Sequence, residues 1–106
     1  MIEFQYFDGC PNAVETLNNL KALVDNNILT YDKIKIVEIK NVEDAERLNF
    51  QGSPTILMDG IDIYTEAKPV SFAYTCRVYI VDNVRTGVLS KKFISEKIEK
   101  LKTNIK

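Results

Sequence analysis

The chain of 106 residues is 45% apolar, enough for one domain (residues 1–106) around one core and too short for two. A formal net charge of -1, with basic residues scattered, gives no field for a phosphate backbone, and no run approaches the roughly 20 apolar residues that cross a bilayer. Nucleic acid and membrane are therefore excluded as partners, and the absence of histidine excludes Ser-His-Asp triads, Cys-His dyads and His-ligated metals.

Residues 2–7 are rich in aromatic and β-branched side chains and stop at Asp8-Gly9, which predicts a strand. From Pro11 the period changes. Ala13, Leu17, Leu20 and Val24 recur at helical spacing, with Glu15, Asn18, Asn19 and Lys21 opposite, so an amphipathic helix follows and fades near Asn26 and Asn27. Pro11 suits the first helical position, where its missing N–H costs nothing, and this makes Cys10 the N-cap. Residues 33–39 alternate as a second strand. Asn41 caps a short helix with Glu43 and Asp44 at its positive end, Val42, Ala45 and Leu48 as its apolar stripe, and an end near Asn49.

Gly52, Ser53 and Pro54 precede the apolar run Thr55 to Met58, and Asp59-Gly60 is a tight-turn signal, so a third strand with a reversal after it is expected. Residues 61–75 hold no period and contain Pro69; they read as a long loop of the kind that forms lids or binding segments. Residues 76–81 read as a fourth strand and 82–87 as a turn. Ser90 caps a last helix whose Ile94, Ile98, Leu101 and Ile105 fall on one face, with Lys97, Lys100 and Lys102 toward its negative end.

Two cysteines are too few for a disulfide framework, for an iron–sulfur cluster or for tetrahedral zinc, and no pattern calls for a cofactor. The N-terminal "MIEFQYF" has no basic segment ahead of an apolar one, so a cytoplasmic location with reduced thiols is expected. The element order β-α-β-α-β-β-α, Cys10 at a strand-to-helix turn and "SPT" at residues 53–55 together resemble the thioredoxin superfamily. "YFDGCPNA", "FQGSPTILMDG" and "CRVY" more narrowly resemble the DF family (seleno)proteins, whose relatives include members with selenocysteine where this chain has Cys10. The resemblance implies an α/β fold with a four-stranded mixed sheet and helices on both faces. It also implies a cis bond before Pro54 beside the Cys10 sulfur, and a Ser53 backbone able to pair with an extended substrate. The second cysteine of Cys-x-x-Cys is replaced by Ala13, so exchange within the motif is ruled out.

Free N–H groups at a helix start favour a thiolate at Cys10, while Asp8 and Glu15 oppose it. Cys76 is the remaining resolving thiol, or else a small residue packed in the sheet. Arg77 reads as a solvated strand residue, as an anion's forked donor or as an aid to ionising a nearby thiol, and Glu3 or Gln5 as a proton acceptor behind Cys10 or as part of a partly solvated sheet face. Three functions compete. In the first, Cys10 attacks a disulfide or hydroperoxide on a protein or small molecule, beside Pro11, Asn12, Ser53, Pro54 and Thr55, and Cys76 or an external thiol resolves the product. In the second, Cys10 and Cys76 hold a soft ion such as Cu(I) or Hg(II). In the third, neither thiol reacts and the fold is an interaction domain.

Overall fold

The computed structural model describes residues 1–26 and 34–104. Strand β1 (Ile2–Tyr6) is central: it pairs in parallel with β2 (Ile34–Glu38), from Ile2↔Ile34 to Tyr6↔Glu38, and antiparallel with β3 (Thr55–Met58), from Ile2↔Met58 to Gln5↔Thr55. The two-residue strand β4 (Ile61–Asp62) pairs antiparallel with β3, giving the order β2-β1-β3-β4. A parallel neighbour requires a crossover, and helix α1 (Pro11–Asp25) supplies it.

Register alternation sorts the two faces. Ile2, Phe4, Ile34, Ile56 and Met58 join the core built with α1 and helix α3 (Lys91–Asn104). Val37, one residue out of phase, packs with Ile39, Ala45, Leu48 and Phe50, which puts helix α2 (Val42–Leu48) on the opposite face. The molecule is thus a mixed α/β structure with a four-stranded mixed sheet and three helices.

The helix signals act as the residue types require. Pro11 is the first residue of α1 after Cys10 at φ -92°, ψ 106°. Asn41 Oδ1 accepts from Asp44 N at 2.8 Å, Asn49 closes α2 in the left-handed region at φ 53°, and Ser90 Oγ accepts from Phe93 N at 3.1 Å. The buried stripe of α1 is Ala13, Thr16, Leu20 and Leu23, with Leu17 and Val24 on its flank. Thr16 turns inward because its hydroxyl has a partner there, the Leu89 N–H at 3.3 Å. Val42 is half exposed, so Ala45 and Leu48 carry the contact of α2. Ile105, Asn27 and Lys33, assigned above to helix or strand, lie outside the described residues.

One expectation is corrected and one is refined. Residues 76–81 do not complete the main sheet: β5 (Tyr79–Val81) forms a separate hairpin with β6 (Val84–Thr86) inside the segment read as a turn. Asp82 and Asn83, both at positive φ (52° and 65°), make the two-residue reversal, a role that Asp59 and Gly60 repeat between β3 and β4. Residues 63–75 are loop as expected, after the two strand residues Ile61 and Asp62, but the segment is pinned at single points. Asp62 and Ile63 are buried, Ile63 N donates to Ile56 O at 3.1 Å, and Ala73 N donates to Phe50 O at 2.7 Å. These anchors come singly, without a period for the sequence to display.

Candidate functional site

Cys10 ends the loop after β1 and is 5% exposed. Its sulfur caps no amide of α1; it donates to Ser53 O at 3.7 Å instead. The N-cap position is as expected, and the expected contact between sulfur and helix amides is not made. Ala13 N bonds the Cys10 carbonyl at 3.1 Å, which already satisfies one first-turn amide through the backbone.

Cys76 reaches the same place by a separate route. Its backbone bridges in parallel to Ser53: Ser53 N donates to Thr75 O and Arg77 N donates to Ser53 O, both at 2.9 Å. Gly52 permits the approach, because it sits at φ +109° and a Cβ there would meet Arg77 Cβ at 3.0 Å and Thr75 O at 3.2 Å. Both cysteines are free thiols. Cys76 is exposed as a residue, yet its thiol is pushed above the ordinary value, first by desolvation, then by charge on Cys10 and by a hydrogen bond with Cys10. Both cysteines thus meet the Ser53 backbone, Cys10 through its sulfur and Cys76 through its main chain.

Arg77 fixes this segment. It is 9% exposed, pairs with Asp62 at 2.5 Å, donates to Thr55 Oγ1 at 3.2 Å, and lies 5.4 Å and 4.7 Å from the ring centres of Tyr64 and Tyr79. The solvated-strand reading does not hold, since Arg77 is buried, and its donors are engaged within the chain by Asp62 and Thr55. Burial drives the Tyr79 phenol well above its ordinary value, and the hydroxyl donates to Pro54 O. Asp62, Tyr64 and Tyr79 were missed because nothing in the sequence announces a long-range buried ion pair.

The remaining predicted residues divide. The Ser53–Pro54 peptide is cis, Ser53 is fully buried, and Ser53 Oγ accepts from Phe7 N at 3.3 Å. Ser53 thus meets both cysteines, but its backbone N–H and C=O are taken by Thr75 and Arg77, so an extended substrate finds neither free in this arrangement. Thr55 is buried, donating to Gly52 O at 2.6 Å, and faces Arg77 rather than the sulfurs. Pro11 is exposed at the helix start. Asn12 leans toward Gly87, where a Cβ would meet its Nδ2 at 2.0 Å. Gln5 Nε2 donates to Glu3 Oε2 at 2.6 Å; register places both on the face opposite Phe4, away from the α1 core.

Beside Cys10 a groove of about 280 Å³ runs between α1 and the β1–β2 edge. Tyr6, Phe7, Ala13, Val14, Leu17 and Ile36 make it mainly apolar, and Asp8 and Asn18 are polar exceptions. Across the 7–8 segment, Phe7 contacts Phe50 and Tyr74 edge-on, with ring centres 6.4 Å and 5.5 Å apart.

Among the described residues no cluster of three or more Cys, Asp or Glu has metal-binding geometry, and no helix is long and apolar enough to cross a membrane. Comparison with protein-family models, curated proteins and solved structures finds no match for the chain.

Proposed function

We propose that the protein is a small thioredoxin-like, thiol-dependent redox protein in which Cys10 is the nucleophile and Cys76 the resolving thiol. The observation that carries this is the meeting of two free cysteines at Ser53, one at the start of α1 and one in the bridged segment held by Arg77. The mixed sheet with helices on both faces, the cis Ser53–Pro54 bond and the resemblance of "GCPNA" and "GSPT" support the fold assignment. A reducing cytoplasmic setting keeps both thiols available.

The chemistry balances as a two-electron exchange. Cys10 loses its proton to solvent, its thiolate attacks one sulfur of a disulfide, an S–S bond forms to Cys10 and one thiolate leaves. Cys76, held as a thiol by its raised pKa, then gives its proton to solvent or to the leaving group. Its sulfur attacks Cys10 and expels the second thiol. The Cys10–Cys76 disulfide carries the oxidation, and an external thiol reduces it. With a hydroperoxide, the thiolate takes the terminal oxygen with its hydrogen, the O–O bond breaks, and the departing alkoxide takes a proton from solvent to leave as an alcohol; the Cys76 thiol then attacks the sulfenic acid and water leaves.

The test is mass spectrometry of reduced protein after one equivalent of a low-molecular-weight disulfide and acid quench. The expected product is an intramolecular disulfide in the native sequence and a lasting mixed disulfide on Cys10 in Cys76→Ser. Independent adducts on both cysteines, with no intramolecular bond, would refute the reading.

A second reading draws on the same convergence: two cysteines meeting at Ser53, with no cluster of three or more ligands among the described residues, suit two-coordinate soft ions such as Cu(I) or Hg(II). Stoichiometric metal in native mass spectra, lost on substitution of either cysteine, would favour it over exchange.

A further inference from the structure

We infer that the electrophile taken by Cys10 is a small disulfide with an apolar substituent, and not a disulfide carried on an extended polypeptide; this rests on the thiol-exchange reading above. A polypeptide that delivers a disulfide in extended form docks by adding its backbone to unpaired N–H and C=O groups at a strand edge. The backbone in contact with the Cys10 sulfur belongs to Ser53. Every polar group of Ser53 is engaged: N–H with Thr75 O, C=O with Arg77 N and Cys10 Sγ, Oγ with Phe7 N. Residues 75–77 thus occupy the place of an incoming strand, and the buried Arg77–Asp62 pair keeps them there. A polypeptide adding beyond them would lie one strand spacing, about 4.8 Å, farther out, beside Cys76 and away from Cys10.

What stays open to Cys10 is the groove along α1. Its volume of about 280 Å³ is at the small end for organic ligands, whose sites run from about 300 Å³ upward, and its lining of Tyr6, Phe7, Ala13, Val14, Leu17 and Ile36 suits an apolar group. Cys10 itself is 5% exposed, which favours a slender reagent over a broad one. The exchange is the one written above: the small disulfide is reduced to two thiols as the protein dithiol becomes the Cys10–Cys76 disulfide.

The experiment uses Cys76→Ser, so that only Cys10 reacts, and two probes with the same leaving group: the thiopyridyl mixed disulfides of benzyl thiol and of a cysteine placed mid-chain in an unstructured peptide. Thiopyridone release is followed for each, and each rate is divided by that probe's rate with glutathione. The benzyl probe is expected to be favoured on the order of tenfold or more, since the peptide can recover no backbone hydrogen bonds at Ser53. Equal normalised rates, or a faster peptide, would overturn the inference and leave the thiol reading intact. If neither probe forms an adduct on Cys10 in the folded variant, that reading is overturned and the inference with it.

Discussion

Arg77 and Asp62 form an ion pair at 2.5 Å with their side chains only 9% and 2% exposed. Removing one partner strands the other without water, so Asp62→Ala should lower the unfolding free energy by about 3–5 kcal/mol, whereas the paired replacement Arg77→Met with Asp62→Leu should cost much less. Urea unfolding followed by circular dichroism measures both. A single variant no less stable than the double one would show that the pair does not hold the 75–77 segment.

The Cys76 thiol is held above its ordinary pKa by desolvation and by two effects of Cys10, charge and hydrogen bonding. Cys10→Ala removes the last two. The midpoint of Cys76 alkylation against pH should therefore move down toward the ordinary thiol value in that variant, so that Cys76 reacts faster near neutral pH than in the native chain. An unchanged midpoint, read by iodoacetamide labelling and peptide mass mapping, would leave burial as the sole cause and would separate the two sulfurs.

Local signals were legible where one short stretch decides its own conformation. Cys10-Pro11 marks the start of α1, Asn41 and Asn49 bracket α2, Thr55 to Met58 is β3 with its reversal at Asp59-Gly60, and Ser90 opens α3. The hairpin at Asp82-Asn83 was passed over because Val84–Thr86 is short and exposed, with no buried alternation to reveal it. Cys10 was found from its place before the helix, but its sulfur's partner was not, since Ser53 O is brought to it by tertiary folding. The course of residues 61–75 was opaque for the same reason: Asp62 meets Arg77, Ile63 meets Ile56 and Ala73 meets Phe50, each through one long-range contact that leaves no pattern along the chain.

Exposure and reactivity are divided between the two thiols. Cys76 is exposed while Cys10 is 5% exposed beside a narrow apolar groove. A bulky polymer-linked maleimide should modify Cys76 alone in the folded protein, and a small uncharged alkylating agent should reach both. Gel shifts and mass spectra of Cys10→Ser and Cys76→Ser give the assignment. Modification of Cys10 by the bulky reagent at the rate seen in urea would contradict the buried placement and, with it, the size selection argued for the site.

Glu66, at the turn after β4, ties that segment to α3 through Lys97 at 2.5 Å and Lys100 at 3.1 Å. The hydrogen bond from Lys97, followed by that from Lys100, holds the Glu66 carboxyl below its ordinary 4.5. A carboxylate with a depressed folded pKa stabilises the fold above its unfolded value, and this contribution is lost as pH falls through the folded one. Glu66→Gln should therefore be less stable than the native chain at neutral pH by under about 1 kcal/mol, because the pairs are partly solvated. The gap should close as the pH is lowered below 4.5 and shrink in high salt. Thermal unfolding of both proteins across that range decides it: a gap independent of pH would mean that the charge of Glu66 does nothing for the turn, and that Ile63 and the Arg77–Asp62 pair hold it alone.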